Sequence, residues 1–334
     1  FLLSATIFLR YSDNIYESKA IIEIIDKAQD SEMALPTELT VFNRSMINLE
    51  NEGMIIVNGP LIINGKSDDP VVINSIEGGK GIIVFDSNES SKVNYTTFNN
   101  LSAPSQNSLN ITGGVTFYNS TVSIKNSKFT DTGGSGIVLA RCKDVVVENS
   151  EFKGSGSGKD SRMWNRGSSL WTYTCNDTVI QNNLFEDVYG PADSYGAHID
   201  WGCERVVIQY NLSKNNYGGF AEILGENIMC GYRYNISIGD GGRTNSNTGR
   251  TFWVSDYAGS NTRRIGSEDN FIYNNTVFIP SQNPANNNAP FDHLEIFIRP
   301  NTKETYIYNN LIYISDKAKL KIDTRNDGTM NDWK

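Results

Sequence analysis

Seven times between residues 127 and 310 the chain writes the same short phrase, an apolar run followed by an Asn or Ser. The anchors are Ser127, Ser150, Asn183, Asn211, Asn235, Asn275 and Asn310, separated by 23, 33, 28, 24, 40 and 35 residues. The shortest gaps point to a unit of about 23 residues, with the excess held in loops such as 154–168 and 281–292. No helical period is sustained from Met54 onward, so the apolar runs read as strands. Short strands at a fixed interval, with insertions at the corners, describe a solenoid whose units each bury a face on their neighbours.

A second marker sets the register. Cys142, Cys175 and Cys203 each stand eight residues before their anchors Ser150, Asn183 and Asn211. In a parallel stack, equivalent positions lie about 4.8 Å apart along the axis, so these cysteines form an interior file of small side chains. Cys230 breaks the offset. With two His and no C-x-x-C pair in the chain, a Cys/His zinc site is not expected, and no metal is assigned.

Four residues before each cysteine, an apolar column reads Val138, Trp171, Ile199 and, by matching Ala197 to Ala221, Ile223; it is expected to point inward. Side chains alternate across a strand, so the flanking columns should point outward. One holds Ile137, Leu170, His198 and Glu222, the other Leu139, Thr172, Asp200 and Leu224. The Asn column is expected to stack amide on amide and hold the corner.

This pattern, over about residues 54–315, resembles the right-handed parallel β-helix common among bacterial polysaccharide-degrading proteins. The expected class is therefore all-β, a right-handed parallel β-helix with loop insertions. A short segment of different character, 1–53, precedes it and a polar tail or cap, 316–334, follows. Within the first segment, Phe8-Leu-Arg-Tyr-Ser12, Ile15-Tyr-Glu-Ser-Lys19, residues 25–36 and residues 42–51 resemble the chain-length-determinant domain of polysaccharide co-polymerases and their tyrosine autokinases. That family's long helices, second membrane helix and phosphate-binding loop have no counterpart here. The resemblances imply a bacterial, extracytoplasmic chain (periplasmic, surface or secreted).

Acidic residues outnumber basic ones 38 to 29, a formal charge of −9, which argues against nucleic acid or an anionic membrane as partner. The β-helix part is expected to be a monomer that meets a polysaccharide or oligosaccharide rather than a bilayer.

Glycoside hydrolysis needs one carboxylic acid to protonate the leaving oxygen and one carboxylate as nucleophile or base. Asp200 and Glu222, on consecutive turns of one outer face with Cα atoms roughly 8 Å apart, are the candidate pair. His198, stacked beside Glu222, is the candidate orienting group. Trp164, Trp171, Tyr195, Trp201, Trp253 and Tyr257 are candidate sugar platforms. Arg162, Arg166 and Arg243 are candidate ligands for acidic sugars, as is Arg250. The face also fits three other readings: a polysaccharide lyase, for which Ca²⁺ would be the cofactor; a non-catalytic glycan-binding or surface solenoid; or, from the N-terminal resemblance, a fragment of a chain-length regulator. A hydrolase needs no cofactor.

Overall fold

The computed structural model describes residues 38–323, apart from 88, 105–108, 110, 157–166, 191–192, 243–249, 284–288, 291–292, 300 and 316–318. Three ten-stranded sheets run the length of the molecule, and each takes one strand from every turn of the chain. The first runs from Leu39–Phe42 to Tyr306–Tyr308, the second from Met46–Leu49 to Leu311–Ile314, the third from Ile55–Asn58 to Lys319–Asp323. Every pairing within them is parallel, for example Val146 with Val179 and then Val207. No helix occurs among the described residues. The expected all-β solenoid is the architecture found.

Its limits differ from those expected. Leu39–Phe42 pairs with Leu61–Asn64, and Met46–Leu49 with Val71–Ser75, so residues assigned to the N-terminal segment form part of the first turn. At the other end Lys319–Asp323 pairs with His293–Ile298, inside the stretch expected to be a polar tail or cap. Small antiparallel hairpins occupy two of the insertions: Tyr257–Ser260 with Arg263–Arg264, and Gln282–Asn283 with Ala289–Pro290.

The corner between the first and second sheets explains the recurring Asn. Each begins with one residue in the left-handed region: Asn126, Asn149, Asn182, Tyr210, Tyr234, Asn274 and Asn309 have φ of 51 to 56°. Asn tolerates that conformation better than most side chains. The following residue turns inward and takes up the polar groups left by the bend. Asn183, Asn211, Asn235 and Asn275 each donate Nδ2–H to the next Asn Oδ1, at 3.0 to 3.1 Å. Their backbone N–H groups bond to the same oxygens, and Ser127 and Ser150 extend the series toward the N-terminus. All seven anchors thus lie on one hydrogen-bonded ladder.

The interior is apolar and continuous. Phe98, Phe129, Phe152 and Phe185 stack turn on turn inside the second sheet at 4.7, 4.7 and 4.9 Å. Cys142, Cys175 and Cys203 form the expected interior file, and all four cysteines are buried thiols. Burial pushes the Cys175 and Cys230 thiols well up, which makes them poor nucleophiles. Cys230 sits one column along, its sulfur 3.4 Å from the Val206 nitrogen.

Candidate functional site

The candidate residues lie on the third sheet, and here the expected faces need correcting. Val138 pairs with Trp171 as expected, but Trp171 pairs with His198, and Thr172 with Ile199. The inward set is therefore Ile137, Leu139, Leu170, Ile199 and Ile223, which belong to the main core. Val138 and Trp171 lie outside it, in a separate cluster with Ala103, Ala140 and Tyr173. The cause is one residue. Between Ile199 and Cys203 the corner holds Asp200, Trp201 and Gly202, whereas Tyr173 and Thr174 alone separate Thr172 from Cys175. Counting back from the cysteine slips the strand by one position, and a one-residue slip exchanges its faces.

The adjacent register, His198 over Glu222, is as expected. Ile199 pairs with Ile223, both buried in the core, so His198 and Glu222 stand on the outer side of neighbouring turns. His198 Nδ1 lies 3.4 Å from Glu222 Oε2. From one end of the sheet to the other the outer column reads Ile56, Ile83, Thr116, Val138, Trp171, His198, Glu222, Trp253, Phe297 and Asp323. From Ile56 to Phe297 it is apolar or neutral except at this pair.

The imidazole is held from several sides. Trp171 lies against it with ring centroids 4.4 Å apart, and Tyr195 presents an edge at 6.2 Å. Ser168 Oγ is 2.8 Å from Nδ1; it also donates to the Asp193 carbonyl and accepts the Tyr195 N–H at 3.2 Å. A hydroxyl has one proton and a carbonyl can only accept. The Ser168 proton is thus committed to Asp193, and the bonding pattern assigns the ring proton to His198 Nδ1, between Ser168 and Glu222.

Asp200 is fixed separately. Its Oδ2 accepts Trp171 Nε1–H at 2.7 Å and its Oδ1 accepts the Trp201 N–H at 2.9 Å. Its carbonyl accepts Asn227 Nδ2–H at 2.7 Å. Trp171 therefore touches both His198 and Asp200, and links the imidazole to the second carboxylate. The Glu222 backbone is held from inside the helix as well, through Tyr232, whose hydroxyl accepts the Glu222 N–H at 3.3 Å and shares its one proton between the Ala197 and Glu222 carbonyls. Burial keeps the Tyr232 phenol far above its usual range, so it stays a neutral donor.

The cluster is closed over. His198 and Glu222 have no exposed surface and Asp200 is buried. Trp171 and Tyr195, expected as sugar platforms, are buried too and serve as packing. Trp201, Trp253 and Tyr257 are half-buried and form the rim. Arg263 lies over Trp201 at 5.7 Å, Arg264 over Tyr257 at 5.6 Å, and Arg250 over Trp253 at 4.6 Å. Trp164, Arg162, Arg166 and Arg243 fall outside the described residues. Among those described, no group of three or more His, Cys, Asp or Glu gathers as a metal site, and no helix is long and apolar enough to cross a membrane.

Ser168, Asp193 and Asn227 had no signal in the sequence. Each acts through position at the end of a loop or corner rather than through a motif.

The winding and the single-file sheets place the chain in a known class. It belongs to the right-handed β-helix family, whose model, a right handed beta helix region, matches residues 61–229 and 113–262. No curated protein matches it. Solved structures to which the chain is similar include a lacto-N-biosidase from Eubacterium ramulus, 14% identical with a TM-score of 0.43; the match covers 80% of this chain and 44% of that one. An alginate lyase from Paenibacillus sp. str. FPU-7 is 11% identical with a TM-score of 0.41, covering 87% and 94% of the two chains. The Streptococcus pneumoniae surface adhesin PfbA is 13% identical with a TM-score of 0.41, covering 88% and 89%. This chain spans less than half the length of the biosidase chain. The three names describe three different activities, and likeness at this level carries none of them across.

Proposed function

We propose that this chain is a carbohydrate-active β-helix protein, and that it hydrolyses a polysaccharide or oligosaccharide outside the cytoplasm with Asp200 and Glu222. The observation that carries this reading is the break in one column. Where neighbouring turns place Val138, Trp171, Trp253 and Phe297, the chain buries a histidine and a glutamate. Apolar side chains would serve the stack as well or better, because removing charged groups from water is costly. Buried ionisable groups kept against that cost are a mark of functional sites.

In this reading the roles follow from the hydrogen bonds. Asp200, with two N–H donors on its two oxygens, is the acceptor-only carboxylate, the nucleophile or base. Glu222 supplies the proton to the leaving oxygen, and His198, with its Nδ1 proton between Ser168 and Glu222, sets the orientation of that carboxyl. Trp201 and Trp253 offer ring faces at the rim for sugar, and Arg250 a guanidinium for an acidic substituent.

The complete burial of His198 and Glu222 favours a second reading, in which the pair only locks the stack of a glycan-binding solenoid. A product screen separates the possibilities. Purified protein is incubated with acidic and neutral glycans, and the products are sized and tested for near-ultraviolet absorbance. Shortened chains with new reducing ends and no absorbance are expected. Absorbing, unsaturated ends would replace the proposal with a lyase, and retention of a glycan without product would replace it with a binder.

A further inference from the structure

The outer surfaces of the first and second sheets change character along the axis. In the middle turns they carry ion pairs: Lys125–Glu148 at 2.9 Å, Lys128–Glu151 at 3.1 Å and Lys153–Glu186 at 3.1 Å. Followed toward the C-terminus, the same columns turn aromatic. Glu148 is succeeded by Gln181, Gln209, Arg233, Tyr273 and Tyr308. Lys153 is succeeded by Glu186, Lys214, Ile238, Phe278 and Tyr313. Over the last three turns of these two sheets the outward positions hold one charged side chain, Arg233, which bonds to Gln209 Oε1 at 2.8 Å and to the Tyr273 hydroxyl at 3.1 Å.

The large side chains of the last turn are well exposed: Tyr306 by 50%, Tyr308 by 45%, Leu311 by 66% and Tyr313 by 59%. Contiguous apolar surface of this kind on a soluble chain marks a binding face. The ring geometry narrows what it binds. Tyr273 and Tyr308 stack at 5.0 Å and 6°, Phe278 and Tyr313 at 5.3 Å and 18°, and Tyr210 and Tyr234 at 5.2 Å and 9°. Each stacked ring covers one face with its neighbour along the axis and turns its edge outward. A sugar stacks on a ring face, whereas a protein surface packs against edges and hydroxyls.

We infer that this face is the contact between two copies of this chain. A two-fold axis across the solenoid would bring the patch against itself, as an isologous contact requires. The chain carries a net −9, so most of its surface opposes self-association, but this face meets its copy with no acidic side chain at the outward positions. The exposed side chains on it supply area on the order of the ~800 Å² per partner that a standard interface buries. The contact uses the first and second sheets and leaves the third, with His198 and Glu222, outside it. It therefore stands apart from the proposed hydrolysis.

The test is the mass of the full 334-residue chain across a concentration series, by sedimentation equilibrium or light scattering. The wild type is expected to move from one chain's mass to two. The double variant Tyr308→Lys, Leu311→Lys is expected to stay at one, with association weakened at least about 100-fold and an unchanged melting curve. A wild type at single mass throughout overturns the inference, as does a variant that pairs like the wild type. Loss of glycan retention in the variant of a monomeric wild type would assign the face to carbohydrate, and overturns it too.

Discussion

Replacing Asn211 by Ala is expected to cost roughly 3–5 kcal/mol of stability, because four buried hydrogen bonds are lost at once. Asn211 Nδ2 donates to the Ile180 carbonyl at 3.0 Å and to Asn235 Oδ1 at 3.0 Å. Its Oδ1 accepts the Asn183 N–H at 2.9 Å and the Asn183 Nδ2–H at 3.1 Å. Alanine fills none of these places, and the site is too deep for bulk water to do so. The neighbouring residue type offers the control. Asn182 sits at the same kind of corner but in the left-handed conformation, so Asn182→Ala costs only the backbone preference, about 1 kcal/mol. Chemical unfolding followed by far-ultraviolet circular dichroism measures both. Equal losses at 182 and 211 would mean that the ladder contributes nothing beyond the turn.

A change of opposite sign is expected at Asp240. The inner column of the second sheet, filled by Phe98, Phe129, Phe152 and Phe185, continues as Ser213 and Ser237. Asp240 lies fully buried beside them, accepting from Ser237 Oγ at 2.7 Å and from the Asn216 N–H at 2.9 Å. Burial pushes its carboxyl up from 3.8 to about 7, against the lowering effect of bonds from Ser213, Ser237 and Asn216. The folded state therefore holds the proton more tightly than the unfolded chain does. The stabilisation this brings is complete below about pH 4 and is lost as pH rises through about 7. Asn is neutral at every pH and fits the amide series that Asn216 begins. Asp240→Asn should thus match the wild type near pH 4 and exceed it above pH 7, by up to about 4 kcal/mol. Melting temperatures across that range test this. A difference that does not change with pH would show that burial leaves the acid unperturbed.

What could be read from the sequence followed how strictly each position is constrained. The corner between the first and second sheets accepts few residue types, so Asn183, Asn211, Asn235, Asn275 and Asn310 announced the ladder and the winding together. The cysteine file was legible for the same reason. The face of Trp171 was not, because alternation is blind to one residue gained in a corner, and Asp200–Gly202 contains that residue. The stacking of His198 on Glu222 survived because Ala197 and Ala221 fixed it independently of the cysteines. Burial of that pair was illegible: it depends on Ser168 from the preceding turn and on Asp193 and Tyr195 in the connection that leads into Ala197–Ile199. Asp240 reads as a turn acid in Gly239-Asp-Gly-Gly242, and only the fold reveals that it faces inward.

The most direct test of the account compares three proteins on the glycan that the wild type degrades: wild type, Glu222→Gln and Asp200→Asn. Each variant keeps the shape of its side chain and removes its carboxyl: Glu222→Gln should keep its melting and its glycan retention in affinity electrophoresis, while Asp200→Asn gives up one of its two N–H bonds and should melt lower but still fold and retain glycan. Turnover should fall about 10²- to 10⁴-fold in both, the loss expected when an acid or base is withdrawn from the reacting bond. A variant that is folded, binds glycan and turns it over at the wild-type rate would contradict the assignment of Asp200 and Glu222 as the reacting pair.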